Sequence, residues 1–254
     1  IAYEAVDNTN GDKVVVKIGS PDDKREDAGA AVVQMNTEFN LLTGPLLGCP
    51  GVPVVLGFGE TTYTLEGIPQ RLPVIVESPL GRSFPGDNET PLTLQACGTS
   101  IYRTLREIHQ RGVIHRDIKP SNIMIRSDGD AVLLDFGIAA LESAEELTRT
   151  GAAVGTPRYM APEALGRRES WQPSLDVYGL AATLYHLLAM RAPFEGTHSE
   201  VMAALSTREA TALSALRPDL PRDLLAVVEH GLASTPAHRD GDASSFAAAL
   251  SAVL

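Results

Sequence analysis

The run His115-Arg116-Asp117-Ile118-Lys119-Pro120-Ser121-Asn122 places a carboxylate, an ammonium and an amide within six residues, Asp117 to Asn122. Thirteen residues after Asn122 the chain reads Asp135-Phe136-Gly137. A proton acceptor, a cation able to face phosphate and two oxygen ligands for a hard metal suit phosphoryl transfer from a nucleotide. A single aspartate is usually a cap or a turn residue. Here Asp117 and Asp135 lie eighteen residues apart, and a hairpin over 123–134 would fold the chain back between them. Both carboxylates then sit at one end of a two-stranded ribbon, with Lys119 and Asn122 beside the first.

The elements that must position these groups follow from residue pattern. Ala2–Val6 and Lys13–Ile18 are β-rich runs around Asn8-Thr9-Asn10-Gly11-Asp12, which reads as a hairpin. Residues 25–43 carry Val32, Val33, Met35, Phe39 and Leu42 near one helical face, and Gly44-Pro45 ends the helix. Strands are expected at 52–59 and 72–77. A helix is expected from Thr90 to about Gln110, followed by short strands at Ile123–Arg126 and Ala131–Leu134 around Ser127-Asp128-Gly129-Asp130. From Asp176 onward the pattern is helical, at 176–190, 199–206, 221–233 and 242–253. The expected fold is α+β in two lobes: a small β-rich lobe with one helix over 1–77, a hinge at 77–81 and a larger helical lobe over 82–254.

Bulk properties narrow the function. The chain has 254 residues, 44% hydrophobic, enough to bury a substantial core. The formal net charge of −11 argues against a nucleic-acid binder, which would carry a basic face. Two cysteines, Cys49 and Cys97, make neither a disulfide framework nor a zinc set. The longest apolar run, Val177 to Met190, is too short for a membrane span and contains His186. A buried core helix is the expectation there, with no membrane contact from this segment and no signal peptide. The first residue is Ile1 and the last Leu254, which reads as a sequence trimmed at both ends.

Together with Asp135-Phe136-Gly137, the run His115–Asn122, Gly155-Thr156-Pro157-Arg158-Tyr159-Met160 and Ala161-Pro162-Glu163 resemble, in order and context, the eukaryotic-like (Hanks-type) serine/threonine protein kinases. The resemblance covers essentially the whole chain and implies roles residue by residue. Asp117 would be the catalytic base and Lys119 the phosphate-facing, serine/threonine-specific lysine. Asn122 and Asp135 would hold Mg2+ (or Mn2+). Lys17 would hold the α- and β-phosphates of ATP, with Glu38 as its ion-pair partner. Val15 would lie over the adenine and Met124 under it. The backbone of Glu77 to Pro79 would form the hinge that pairs with the base, and Val76 would gate the space behind it. Thr156 would bridge Asp117 and Lys119, Arg239 would pair with Glu163, and Asp176 would support the catalytic loop. His115 reads as a packing residue.

The same resemblance extends to regulation. Thr148-Arg149-Thr150 matches the double-threonine segment of bacterial transmembrane serine/threonine kinases, and a phosphothreonine there could pair with Arg116. The implied partners are ATP, protein substrates and a kinase–kinase dimer for autophosphorylation. The implied location is cytoplasmic, either free or as the cytoplasmic domain of a membrane-anchored receptor. Three departures qualify the match. The Gly-rich phosphate loop expected just before Ala2 is missing, Val15 stands where the family usually has alanine, and the segment between Gly81 and Pro91 is short. Three readings therefore stand side by side: an active kinase, a pseudokinase or nucleotide-binding scaffold without turnover, and a small-molecule phosphotransferase. The full set Lys17, Asp117, Asn122 and Asp135 favours the first. Residues 155–163, which would dock a polypeptide, argue against the third.

Overall fold

The structure, a computed structural model, describes residues 2–19, 28–65, 68–79, 82–83, 100–136, 157–166, 172–207 and 210–239. Strands β1 (Ala2–Val6), β2 (Lys13–Ile18), β3 (Val55–Leu65) and β4 (Ile68–Glu77) form an antiparallel sheet in the order β1-β2-β4-β3. The β1–β2 turn closes through Asp7 and Asp12, and Asp7 caps the backbone N–H of Thr9 at 2.8 Å. Gly11 takes φ +81° in that turn, a left-handed conformation that glycine adopts without steric cost. Helix α1 (Ala28–Thr43) packs on this sheet, with Phe39 stacked on Phe58 at 4.2 Å between ring centroids. Gly44 and Pro45 end α1, as expected; the Gly44 N–H still reaches the Asn40 carbonyl at 3.0 Å.

The β3–β4 hairpin is longer than expected. The predicted strands 52–59 and 72–77 become Val55–Leu65 and Ile68–Glu77, paired down to Leu65 opposite Ile68. Thr61, Thr62, Tyr63 and Thr64 have the branched and aromatic side chains that favour a pleated ribbon. Pro69 and Pro73 are tolerated because β2 pairs with β4 only over Val74–Glu77, so beyond that stretch one edge of β4 is free of the β2 ladder.

The rest of the described chain is mainly helical: α2 (Tyr102–Gln110), α3 (Ser174–Ala189), α4 (His198–Thr207), α5 (Leu213–Leu216) and α6 (Arg222–Gly231). A second small sheet, β5 (Arg82–Ser83), β6 (Ile123–Ile125) and β7 (Ala131–Leu133), lies in the order β5-β6-β7. The fold is thus α+β, with a β-rich lobe followed by a helical one. The expected strands 123–126 and 131–134 match β6 and β7 to within a residue at their ends. The helix expected at 242–253 and the first ten residues of the one expected at 90–110 lie outside the described residues.

Helix α3 is the centre of the helical lobe. Every side chain from Ser174 to Tyr185 is buried, and Val177, Leu180, Ala181 and Leu184 join a core that also contains Leu105, Ile108, Ile118 and Phe136. A helix apolar on all sides is buried in this way. Gly179 brings α3 against the loop before β6: a Cβ there would lie 2.9 Å from Ile118 Cβ and 3.1 Å from the Ile118 carbonyl oxygen. Among the described residues no helix is long and apolar enough to cross a membrane.

Candidate active site

Two polar clusters form, one under the four-stranded sheet and one on the loop before β6. Lys17 near the end of β2 is buried, and its Nζ meets Glu38 Oε1 of α1 at 2.8 Å and Asp135 Oδ1 at 3.0 Å. A third carboxylate, Glu77 Oε1, lies 3.7 Å from the same nitrogen. Burial works against the charge on Lys17, but Glu38, Asp135 and Glu77 outweigh it and hold its pKa above the ordinary lysine value. Burial raises Glu38 against the pull of Lys17. Glu77, pushed mainly by burial, rises to about 7.

The register explains how these groups meet. Antiparallel pairing sets Val15 opposite Glu77 and Lys17 opposite Ile75. Directly opposed residues point to the same face, so Val15, Lys17, Ile75 and Glu77 share the side that α1 covers. Val76 pairs with Val16 and points to the other face, near Gly57. This overturns the reading of Val76 as the residue gating the pocket. Glu77, whose side chain is fully buried, ends β4 on the face that carries Lys17. The alternation of β4 does not reveal this, because Leu72, Val74 and Val76 are as apolar as Pro73 and Ile75 on the other parity. Sequence reasoning considered only the backbone of Glu77. After it, the Ser78 N–H bonds the Val54 carbonyl at 2.9 Å, and Pro79 is exposed.

The second cluster is built on residues 115–122. Lys119 Nζ meets Asp117 Oδ2 at 2.7 Å, and Asn122 Nδ2 donates to Asp117 Oδ2 and to the Asp117 carbonyl, each at 2.8 Å. The turn Pro120–Asn122 delivers Asn122 directly into β6. The Asn122 Oδ1 accepts one long contact, from Ser121 Oγ at 3.4 Å. Asp135 and Asn122 are therefore both oxygen donors with spare coordinating capacity, a set that fits a hard divalent ion completed by phosphate and water. Met124 is half-buried on β6, opposite Ser83 of β5 and Val132 of β7.

Residue 134 ties the clusters together. Its N–H donates to the Asn122 carbonyl at 2.8 Å, and its carbonyl accepts from His115 Nε2 at 2.7 Å. Asp135 follows at once, with φ +62°, a left-handed conformation uncommon for aspartate and characteristic of strained functional positions. His115 Nδ1 faces the Asp117 N–H at 3.3 Å and its ring meets Phe136 edge-on at 4.8 Å, so both ring nitrogens serve the loop backbone.

Asp176, fully buried on α3, accepts the backbone N–H groups of His115 at 2.8 Å and Arg116 at 2.7 Å, and meets His109 Nε2 at 2.8 Å. Burial alone would raise its pKa, yet the His109 contact and the loop contacts hold it below the ordinary aspartate value. Arg116 itself takes φ +73°. His109 is a partner that the sequence reading did not find; nothing in its spacing from Asp176 signals the contact. Glu163 and Arg239 meet at 2.8 Å between Oε2 and Nη2. Thr148, Thr150 and Thr156 lie outside the described residues.

Comparison with known proteins identifies the family. The family model for the protein kinase domain matches residues 78–246. The serine/threonine-protein kinase PknA of Mycobacterium tuberculosis is 32% identical over 99% of this chain, which spans 57% of PknA. PknH of Mycobacterium bovis is 38% identical over 63% of the chain and 27% of its own length. PknE of Mycobacterium tuberculosis is 37% identical over 61% of the chain and 27% of its own length. The chain spans little more than half the length of the first of these relatives, and it belongs to the family of Hanks-type serine/threonine protein kinase domains.

Proposed function

We propose that this chain is the catalytic domain of a serine/threonine protein kinase that transfers the γ-phosphate of ATP to serine and threonine hydroxyls of proteins. The observation that carries the reading is the joining of the two clusters through residue 134, which fixes Asp135 beside Lys17 and Asn122 beside Asp117. Asp117 is the base. Lys119 and Asn122 both contact its Oδ2, leaving Oδ1 to accept the proton of the attacking hydroxyl. Lys119 then also offsets charge on the group in transfer. Glu38 holds Lys17 in place to grip the α- and β-phosphates. Asn122 and Asp135 would hold Mg2+ (or Mn2+), which supplies charge neutralisation at the phosphates. Val15 and Met124 sandwich the base, and the segment from Glu77 to Pro79 runs along its edge into a hinge at 77–81 between the lobes.

Control of the activation segment belongs to the same reading: Thr148 and Thr150 are phosphorylated by a second copy of the chain, Arg116 pairs with the product, and Thr156 bridges Asp117 and Lys119. The setting is cytoplasmic. The decisive experiment is Asp117→Asn. Transfer to a protein substrate should fall by roughly a thousandfold or more while ATP still binds. Turnover comparable to the parent protein would overturn the base assignment.

A further inference from the structure

Lys17 stands among three carboxylates, and one of the three is left out. An ammonium has three N–H donors. Glu38 takes one at 2.8 Å and Asp135 a second at 3.0 Å. Glu77 Oε1 lies 3.7 Å from the same nitrogen, too far for a hydrogen bond. Neither Glu77 oxygen has a hydrogen-bond partner among the described residues. The charged groups that face it are Lys17 of β2, Glu38 of α1 and Asp135 after β7, with His115 acting on Glu38 behind them. Its pairing residue on β3, Val55, is apolar. An ionised Glu77 can therefore be satisfied in one way, by drawing the third N–H of Lys17 across that gap. A protonated Glu77 makes no such claim on the lysine. In the kinase reading the same N–H serves the phosphates of ATP.

We propose that Glu77 is a positioning residue for phosphoryl transfer: ionised, its carboxylate holds the Lys17 ammonium off the α- and β-phosphates, and protonated it lets the lysine reach them. This rests on the kinase reading above and deepens it, because Glu77 does not touch the nucleotide and acts only through Lys17. A triphosphate brings further negative charge to a cluster in which carboxylates already outnumber cations, so its binding favours the neutral form of Glu77. By linkage, the neutral form favours binding by the same factor. Burial puts the Glu77 pKa at about 7, so both forms are populated near neutrality. Affinity for ATP is therefore high below that point and falls as pH rises through it.

The test is equilibrium binding of ATP, and of adenosine, which has no phosphates, on either side of neutral pH. Both are measured on the parent protein, on Glu77→Gln and on Glu77→Met. Gln keeps the shape and removes the charge. Met needs no hydrogen-bond partner and so guards against loss of folding where the buried amide is left unpaired. Titration of ATP itself is common to all three proteins and cancels in the comparison. Between about pH 6 and about pH 8.5 the parent should lose about tenfold more ATP affinity than either variant, while adenosine affinity changes alike in all three. The same pH dependence of ATP binding in the parent and both variants overturns the proposal. So does an adenosine affinity that follows that of ATP, which would mean that Glu77 acts on the base side of the cleft. A parent that binds ATP no better than adenosine at either pH overturns more, because it removes the phosphate grip of Lys17 and the kinase reading with it.

Discussion

Lys17 answers three carboxylates with one positive charge, and this imbalance has a pH signature. Glu77, the one that Lys17 does not directly hydrogen-bond, is raised by burial to about 7 from 4.5. A carboxyl whose pKa is raised in the folded state holds its proton more tightly there than in the unfolded chain. Its contribution to stability is therefore full below about 4.5 and is lost as pH rises through about 7. The melting temperature of the parent protein should fall across that window relative to Glu77→Met, and thermal denaturation at a series of pH values will measure it. A flat difference between the two proteins would contradict the burial argument. At this scale the sequence was legible wherever residues are close along the chain, as in Asp117, Lys119 and Asn122. It was less legible where a contact spans the fold: His109 on Asp176, sixty-seven residues away, leaves no local trace.

At the scale of elements, hairpins and helices were legible because their periodicity is local. The parity of one strand was not, because apolar residues occupy both faces of β4 and only the pairing with β2 distinguishes them. In the helical lobe, α3 packs closely against the loop before β6 at Gly179. Gly179→Ala would place a methyl group 2.9 Å from Ile118 Cβ, so α3 and the loop must part. The expected cost is about 1–3 kcal/mol of stability, read by urea denaturation, with a lowered kcat and little change in ATP affinity. An Ala variant as stable as the parent would show that Ile118 moves aside freely.

Over the whole molecule, one ion pair fastens the turn Pro162–Leu165 to the end of the described helical lobe. Arg239 is 3% exposed, donates to Glu163 and to the carbonyls of Ala233, Ser174 and Ser234, and lies 4.8 Å from the centre of the Tyr178 ring. Removing one partner of a buried pair strands the other. Arg239→Ala should therefore cost about 3–5 kcal/mol in chemical denaturation, whereas replacing both partners by apolar residues should cost less. Equal losses in the single and double variants would show that Glu163 is well solvated without its partner. The support of the loop by Asp176 has a different consequence. The amides of His115 and Arg116 are sealed by a carboxylate inside the most buried helix of the described lobe, so they exchange hydrogen with water only when that core opens. The loop over 115–122 thus opens only as the core does, and faster motion is to be sought in the elements around it.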